Sequence, residues 1–282
     1  MKYECHGHII ADGESYTEAM KRHQKGVDVL YVRNVLKRIA DHGIGFYRDG
    51  GDKYMVSAYA KKIAVDYGID YRTPIFIIHR KGYYGSLYGR SFESRREYRA
   101  LIQEAKTLGA DFVKLTVSGM LDFDEGGRLT GPVFNGAALR EAVNIANGEG
   151  FAVMAHCNGA DNIKAALEAG AQSIEHGFWP DGSVIDYFLQ TGAVWVPTCV
   201  TVTNIIGAGR YSPAVMQNIH DVQKAVLQEA YAHGVLIASG SDCGAWMVLQ
   251  GKGTDDEIAV LAGIGIDLEK GNAAIRDKFQ RQ

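Results

Sequence analysis

The stretch FAVMAHCNGADNIKAALEAGAQSIEHG, residues 151–177, contains one complete strand–helix–strand unit. Residues 151–156 form an apolar run with the length of a buried strand. Residues 160–169 carry apolar side chains at helical spacing and stop at Gly170, a residue type that commonly ends helices. Residues 172–176 follow as a second short strand. This order favours two parallel strands joined by a crossover helix.

The same unit repeats along the chain. Strands are predicted at residues 4–9, 43–48, 74–79, 111–117, 151–156, 172–176, 193–197 and 235–239. Helices are predicted at residues 15–42 with a break near Gly26, and at 53–66, 93–108, 135–148, 160–169, 181–190, 213–233, 255–262 and 268–279. Eight such units in 282 residues predict an α/β fold of the (β/α)8 TIM barrel type, as a single domain over residues 1–282.

Composition excludes several classes of function. The net charge is −3 and no block of five or six like charges occurs, so neither nucleic acid nor an anionic membrane is an expected partner. No apolar run reaches the ~18 residues of a membrane span, and a strand begins almost at residue 1, so we expect no signal peptide and a cytoplasmic location. The four cysteines show no C-x-x-C spacing, which predicts buried reduced thiols.

Metal-binding residue types fall at the predicted strand ends. Residues one apart in an extended segment share a face, so His6 and His8 offer two imidazoles together. Strand ends of a barrel converge on one mouth, where the chemistry of such folds is located. Imidazoles and a carboxylate meeting there suit a divalent metal of the zinc type. The candidates are His6, His8, Lys114, His156, His176 and Asp242.

The ordered motifs resemble the metal-dependent hydrolases of the amidohydrolase superfamily, in particular its imidazolonepropionase-like and prolidase-like branches. The resemblance covers nearly the whole chain and is densest over residues 93–244. It rests on His6-Gly7-His8, Phe112-Val113-Lys114-Leu115 with Ser118-Gly119, Ala155-His156, Ser173-Ile174-Glu175-His176-Gly177, Val196-Pro197-Thr198 and Gly240-Ser241-Asp242.

The resemblance implies a ligand set. His6, His8 and Asp242 would hold one Zn²⁺, and His156 and His176 a second, with Mn²⁺ or Fe²⁺ as alternative metals. A carboxylated lysine at position 114 would bridge the two ions. An unmodified lysine ammonium has no lone pair to donate. Without carboxylation, one metal held by the strand 1 histidines, Asp242 and one further histidine is the simpler state.

The implied reaction is hydrolysis of a C–N bond in a small amide, cyclic amide or dipeptide-like substrate. Asp242 would act as general base on the attacking water. His176 could polarise the substrate carbonyl where it is not fully engaged as a ligand.

Six further residues are candidates for roles around that centre. Arg48 and Asp49 match an Arg-Asp pair of the family and either orient ligands or form a plain ion pair. His79 and Arg80 follow strand 3 and either bind a substrate carboxylate or belong to a solvated loop. Two aromatic residues, Tyr84 and Trp179, either wall the pocket or pack their own loops, and Tyr83, Tyr88 and Trp246 belong to the same aromatic group.

The chain also departs from the resembled pattern. Most relatives carry segments that build a small accessory β-sandwich, which we expect to be missing here. The barrel bottom and flank would then be barer, which favours a homo-oligomer. The loops after strands 3 and 8 differ from the family, so the small-molecule substrate does not transfer by resemblance.

Three other functions remain open at this level. A metal-dependent decarboxylase or isomerase of the same superfamily could use the same ligands. A Schiff-base aldolase could use Lys114 as the nucleophile, which would leave four histidines and Asp242 without a role. A barrel that only binds a small molecule would leave the buried histidines poorly satisfied.

Overall fold

The computed structural model describes residues 1–280, in which strands alternate with helices. The strands are β1 (Lys2–Gly7), β2 (Ile44–Asp49), β3 (Asp70–Arg72), β4 (Ile77–Arg80), β5 (Arg90–Phe92), β6 (Val113–Thr116), β7 (Val153–Cys157), β8 (Ser173–His176), β9 (Val194–Val196) and β10 (Leu236–Ile237). The helices are α1 (Tyr16–His23), α2 (Val29–Asp41), α3 (Val56–Ile63), α4 (Arg95–Thr107), α5 (Gly136–Gly148), α6 (Ala160–Glu168), α7 (Val184–Thr191), α8 (Val200–Thr203), α9 (Pro213–Ala232), α10 (Lys252–Gly263) and α11 (Glu269–Lys278).

The strands pair in parallel, in the orders β1-β2-β3 and β10-β9-β8-β7-β6-β4-β5. β3 and β4 are successive halves of one barrel strand, since β3 pairs with β2 and β4 pairs with β6. Between them Ile75 has a positive φ of 69° and its carbonyl accepts the Asp52 N–H at 3.0 Å. This irregular stretch joins the two sheets along the chain.

Backbone hydrogen bonds join the first and last strands. The Cys5 N–H donates to the Ser239 carbonyl at 2.8 Å, and the Asp242 N–H donates to the His6 carbonyl at 2.7 Å. With β3 and β4 counted as one, and β5 set aside because it flanks β4 at the edge of its sheet, eight strand positions follow one another around the ring. The predicted (β/α)8 barrel is therefore confirmed.

Several boundaries differ from the sequence prediction. The break predicted near Gly26 is confirmed: residues 15–42 form two helices, α1 and α2, and Gly26 in the loop between them has a φ of 126°. The third predicted strand is divided, and the short β5 and α8 were not predicted. β1 ends at Gly7, so His8 lies just beyond the strand. These short elements depend on contacts with the rest of the barrel, which local periodicity does not report.

The lower half of the barrel interior is apolar and closed. Phe46, Phe112 and Met154 fill it, and Ile275 and Phe279 of the C-terminal segment pack against them, all fully buried. The barrel bottom is thus covered, which corrects the expectation that it would be bare. The opposite end, where the carboxyl ends of the strands lie, remains available for a site.

All four cysteines are buried and free, as predicted. None of the helices within residues 1–280 combines the length and apolar character that crossing a membrane requires.

Candidate metal centre

His6, His8 and Asp242 meet at the carboxyl end of the barrel. One ligand-type atom from each residue lies within 4.8 Å of the other two. The Asp242 Oδ1 is 3.4 Å from the His8 Nε2 and 3.6 Å from the His6 Nε2, which is longer than an ordinary N–H···O bond. The three atoms therefore face a common point instead of pairing closely with one another.

His156, His176 and Lys114 complete the cluster. The ring of His176 lies 4.9 Å from that of His6 and 4.5 Å from that of His156, measured between centroids. The Lys114 Nζ is 3.3 Å from the His6 Nε2. The structure therefore brings all six predicted ligand residues to one mouth.

Burial keeps the imidazoles of this cluster neutral. It lowers the pKa of His8 and of His156 to about 3, with the Lys114 charge as the second cause. It also lowers the pKa values of His6 and His176 well below the usual histidine value. A metal needs the neutral form, because the ring nitrogen must offer a lone pair. The donor set of imidazole nitrogens and a carboxylate oxygen therefore fits a zinc-type ion.

Lys114 and Asp242 influence each other within the cluster. Burial lowers the pKa of the Lys114 amine, while the carboxylates of Glu175 and Asp242 act in the opposite direction. Burial raises the pKa of the Asp242 carboxyl, and the Lys114 charge opposes that rise. The lysine is therefore less strongly held in its ammonium form than in water, which favours carboxylation chemistry at its nitrogen.

A buried ion pair orients the His6 ring. Glu175 Oε2 lies 2.7 Å from the His6 Nδ1, and the Arg48 Nη2 donates to both Glu175 oxygens at 2.9 Å. All three side chains are fully buried. A carboxylate on one ring nitrogen fixes the tautomer and turns the other nitrogen towards the centre. Arg48 thus acts on the cluster through Glu175.

Arg48 and Asp49 do not pair with each other within the described residues, because neighbours in a strand point to opposite faces. Asp49 instead accepts the N–H groups of Ile9 at 2.8 Å and Gly51 at 2.6 Å, and the Tyr71 hydroxyl at 2.8 Å. It therefore anchors the backbone that follows His8.

The variant Glu175→Gln is expected to lower metal affinity by about 10- to 100-fold, as changes to residues behind metal ligands typically do. Glutamine offers one acceptor oxygen in place of the two carboxylate oxygens that Arg48 contacts, one of which lies 2.7 Å from the His6 Nδ1. Titration with zinc in competition with a chromogenic chelator measures this loss. Unchanged affinity in a folded variant would show that Glu175 does not orient His6.

Glu4 is a second buried carboxylate next to the cluster. It accepts from the His6 N–H at 3.0 Å, from the Ser241 N–H at 2.8 Å and Oγ at 2.5 Å, and from the Thr254 Oγ1 at 2.6 Å. It therefore ties β1 to the residue before Asp242. Neither Glu4 nor Glu175 was predicted as a site residue, although an acidic residue inside an apolar strand is a usable signal.

Left-handed backbone conformations occur at the mouth. His176, Thr198 and Asp242 have φ values of 66°, 50° and 57°. Non-glycine residues adopt this region at a cost, and they cluster at functional sites. The Thr198 Oγ1 lies 2.8 Å from the His176 Nδ1, which leaves the other ring nitrogen free for the cluster.

His8 is seated against Gly50, where any side chain would collide with it. A Cβ on Gly50 would lie 2.2 Å from the His8 Cε1. Gly50→Ala is therefore expected to displace His8, destabilise the fold by about 1–3 kcal/mol and weaken metal binding. Gly148→Ala is the control, since nothing lies within 4 Å of that position. Thermal unfolding and zinc titration of both variants test this; equal behaviour of the two would contradict it.

The cluster opens into a cavity of about 330 Å³. Aromatic side chains form much of its wall: Tyr16, Tyr84, Tyr88, Phe178, Tyr211 and Trp246. The ring of Tyr84 lies 4.7 Å from that of His156, between centroids. The predicted pocket role of Tyr84 therefore agrees with its position.

Three predicted pocket residues lie elsewhere. Trp179 packs against Gly127 and does not line the cavity, whereas Trp246 does. The His79 Nδ1 bonds to the Arg80 carbonyl at 3.0 Å, and the Arg80 guanidinium lies over the rings of Tyr83 and Phe134.

These placements correct the proposal that His79 and Arg80 bind a substrate carboxylate and that Trp179 walls the pocket. Loop geometry decides such positions, and a sequence pattern does not report it.

No family model matches the chain. An uncharacterised protein of Mycobacterium tuberculosis is 28% identical over 180 residues, which cover 62% of this chain and 47% of that protein. Ochratoxinase of Aspergillus niger is 28% identical over 169 residues, covering 58% of this chain and 35% of the enzyme. The chain thus spans about half the length, or less, of these curated relatives.

Solved structures share the fold over almost the entire chain. A Xaa-Pro dipeptidase with bound methionine superposes with a TM-score of 0.78 at 20% identity, covering 98% of this chain and 75% of the dipeptidase. The crystal structure of A. niger ochratoxinase gives a TM-score of 0.75 at 20% identity, covering 98% of this chain and 68% of the enzyme. The shared fold and the sequence match to ochratoxinase both agree with the predicted resemblance to the amidohydrolase superfamily.

Proposed function

We propose that this chain is a metal-dependent hydrolase that cleaves the C–N bond of a small amide, cyclic amide or dipeptide-like molecule. The observation that carries the proposal is the convergence of His6, His8 and Asp242 at the base of an aromatic cavity. The matched relatives support it, because an ochratoxinase and a Xaa-Pro dipeptidase are named as hydrolytic enzymes.

In this proposal His6, His8 and Asp242 hold one metal ion. His156 and His176 would hold a second, and a carboxylated Lys114 would complete the ligand set. A bound divalent metal lowers the pKa of water towards 7 and polarises a carbonyl oxygen. Zn²⁺ suits the nitrogen-rich donor set best, with Mn²⁺ and Fe²⁺ as alternatives.

The protein's own groups supply the proton transfers. Asp242 accepts a proton from the attacking water and passes it to the leaving nitrogen. His176 can donate towards the substrate carbonyl where it is not engaged as a ligand. Burial raises the pKa of Tyr84, so its phenol stays neutral and can donate a hydrogen bond to the substrate.

Metal analysis of the purified protein, with a panel of amides, cyclic amides and dipeptides, tests the proposal. We expect one or two equivalents of metal, and activity that is lost on chelation and restored by zinc. Carbon-13 NMR after incubation with labelled bicarbonate detects a carbamate on Lys114.

Three results would contradict hydrolysis. Bound metal without turnover of the whole panel would favour a decarboxylase or isomerase. Borohydride trapping of a ketone or aldehyde on Lys114 would favour the aldolase. Ligand binding without turnover of any kind would favour a binding protein.

We also propose that the chain is one barrel domain over residues 1–282 that acts on a small molecule in the cytoplasm and forms a homo-oligomer. Light scattering coupled to size exclusion measures the oligomeric state.

A further inference from the structure

Two neighbouring loops form one side of the cavity. Residues 81–89 follow β4, and residues 117–135 follow β6. The Thr116 hydroxyl, at the end of β6, donates to the Tyr84 carbonyl at 2.8 Å. This hydrogen bond holds the first loop against the strand from which the second loop departs, so the two loops form one continuous wall.

The two loops cover the His156 side of the ligand cluster. The ring of Tyr84 lies 4.7 Å from that of His156, and the Gly119 carbonyl oxygen lies 3.3 Å from the His156 Nε2. Asp242 belongs to another part of the wall, in the segment after β10 that also carries Trp246. In the proposed reaction Asp242 passes a proton to the leaving nitrogen, so the amine part of the substrate lies on that side and the acyl part faces the two loops.

The wall that these loops form is apolar and reaches the solvent. Within residues 1–280, the lining side chains that the two loops contribute are all uncharged. Leu121 lines the interior and is buried. Leu87 and Met120 line the same cavity but are each 39% exposed, so they lie where it opens. Single exposed apolar side chains are common, but a pair at the opening of an apolar cavity marks an apolar ligand.

We propose that Leu87 and Met120 bind an alkyl chain on the acyl side of the substrate, so that the preferred substrates are amides of medium-chain aliphatic acids. This inference rests on the proposed amide hydrolysis and specifies its substrate class. A chain that starts at a carbonyl beside His156 leaves the cavity along the two loops, where its methylenes are removed from water. Affinity is therefore expected to rise about two- to fourfold per methylene.

Pairs of isomeric anilides test this site with the metal-loaded protein. Butyranilide and hexananilide lengthen the acyl side of acetanilide. Their isomers, 4-ethylacetanilide and 4-butylacetanilide, carry the same added carbon atoms on the amine side. The variants are Leu87→Ser, Met120→Ser and the control Leu189→Ser, which changes an exposed leucine on α7 that does not line the cavity.

In the wild type, KM for hexananilide is expected to be about 15- to 250-fold lower than for acetanilide, and at least about tenfold lower than for 4-butylacetanilide. Leu87→Ser and Met120→Ser should each reduce the preference for hexananilide by about three- to tenfold, and Leu189→Ser should leave it within about twofold. An equal gain for both isomers, or an unchanged preference in either cavity variant, would overturn the proposal.

Calorimetric binding of the same anilides separates this inference from the proposed function. If the wild-type protein hydrolyses none of them, amide hydrolysis loses support, whereas their affinities still decide the alkyl site. Hexananilide that binds at least about tenfold more tightly than 4-butylacetanilide, with a smaller difference in both Leu87→Ser and Met120→Ser, supports the site. Equal affinity for the two isomers, or a difference that either variant leaves unchanged, overturns it.

Discussion

Replacing His8 by alanine is expected to remove both the bound metal and the hydrolytic activity. The His8 Nε2 lies 3.4 Å from the Asp242 Oδ1, and its pKa of about 3 keeps it neutral as a ligand. Changing a residue that only orients a ligand typically lowers metal affinity by about 10- to 100-fold. Removing a ligand itself should cost more, so we expect the metal affinity to fall by more than about 100-fold. Metal analysis after dialysis and the rate at saturating substrate measure the two effects.

A suitable control is His233→Ala, because His233 is exposed at the end of α9 and, among residues 1–280, its ring bonds only to the Glu229 carbonyl. This variant should keep full metal content and turnover. If His8→Ala behaved like His233→Ala, the assignment of the metal centre would be wrong.

Replacing Asp242 by asparagine is expected to lower kcat by about 100- to 10,000-fold, the range that general acid–base groups contribute. An amide has nearly the shape of a carboxylate but cannot accept the proton from the attacking water. His6 and His8 remain in place, so we expect much of the metal to stay bound. Steady-state kinetics together with metal content separate the loss of the base from the loss of the ion.

The matched control is Asp161→Asn, whose carboxylate is almost fully exposed and pairs with Lys164 on the same helix. It should leave kcat unchanged. Retention of more than a tenth of kcat in metal-loaded Asp242→Asn would exclude Asp242 as the general base.

The ligand cluster shows what local pattern predicts well. Strand periodicity placed His6 at the end of β1 and His156 and His176 in β7 and β8, and the structure brings them together. Parallel strands of a barrel all end at the same mouth, so a residue's position in its own strand is enough to place it there. The positions of Glu4 and Glu175 in their strands did not indicate which residues they contact.

Contacts across the barrel account for what was missed. Glu175 reaches His6, and Glu4 reaches Ser241, 237 positions away in the chain. Which buried acid faces which partner depends on how the strands are staggered when the ring closes. In the loops, Trp246 lines the cavity and Trp179 does not. Trp179 itself has a positive φ, and so does Met247, the residue after Trp246.

The sequence by itself predicted the barrel, from the repeated strand–helix unit, and the six candidate ligands, from residue type and position in each strand. Only the tertiary structure decided that Glu175 and Arg48 orient His6, that the bottom of the barrel is closed by Phe279, and which loop residues form the cavity. The physical reason is how far apart in the sequence the interacting residues lie. Strand and helix patterns arise from neighbouring residues, whereas these contacts require distant segments to be brought together by closure of the barrel.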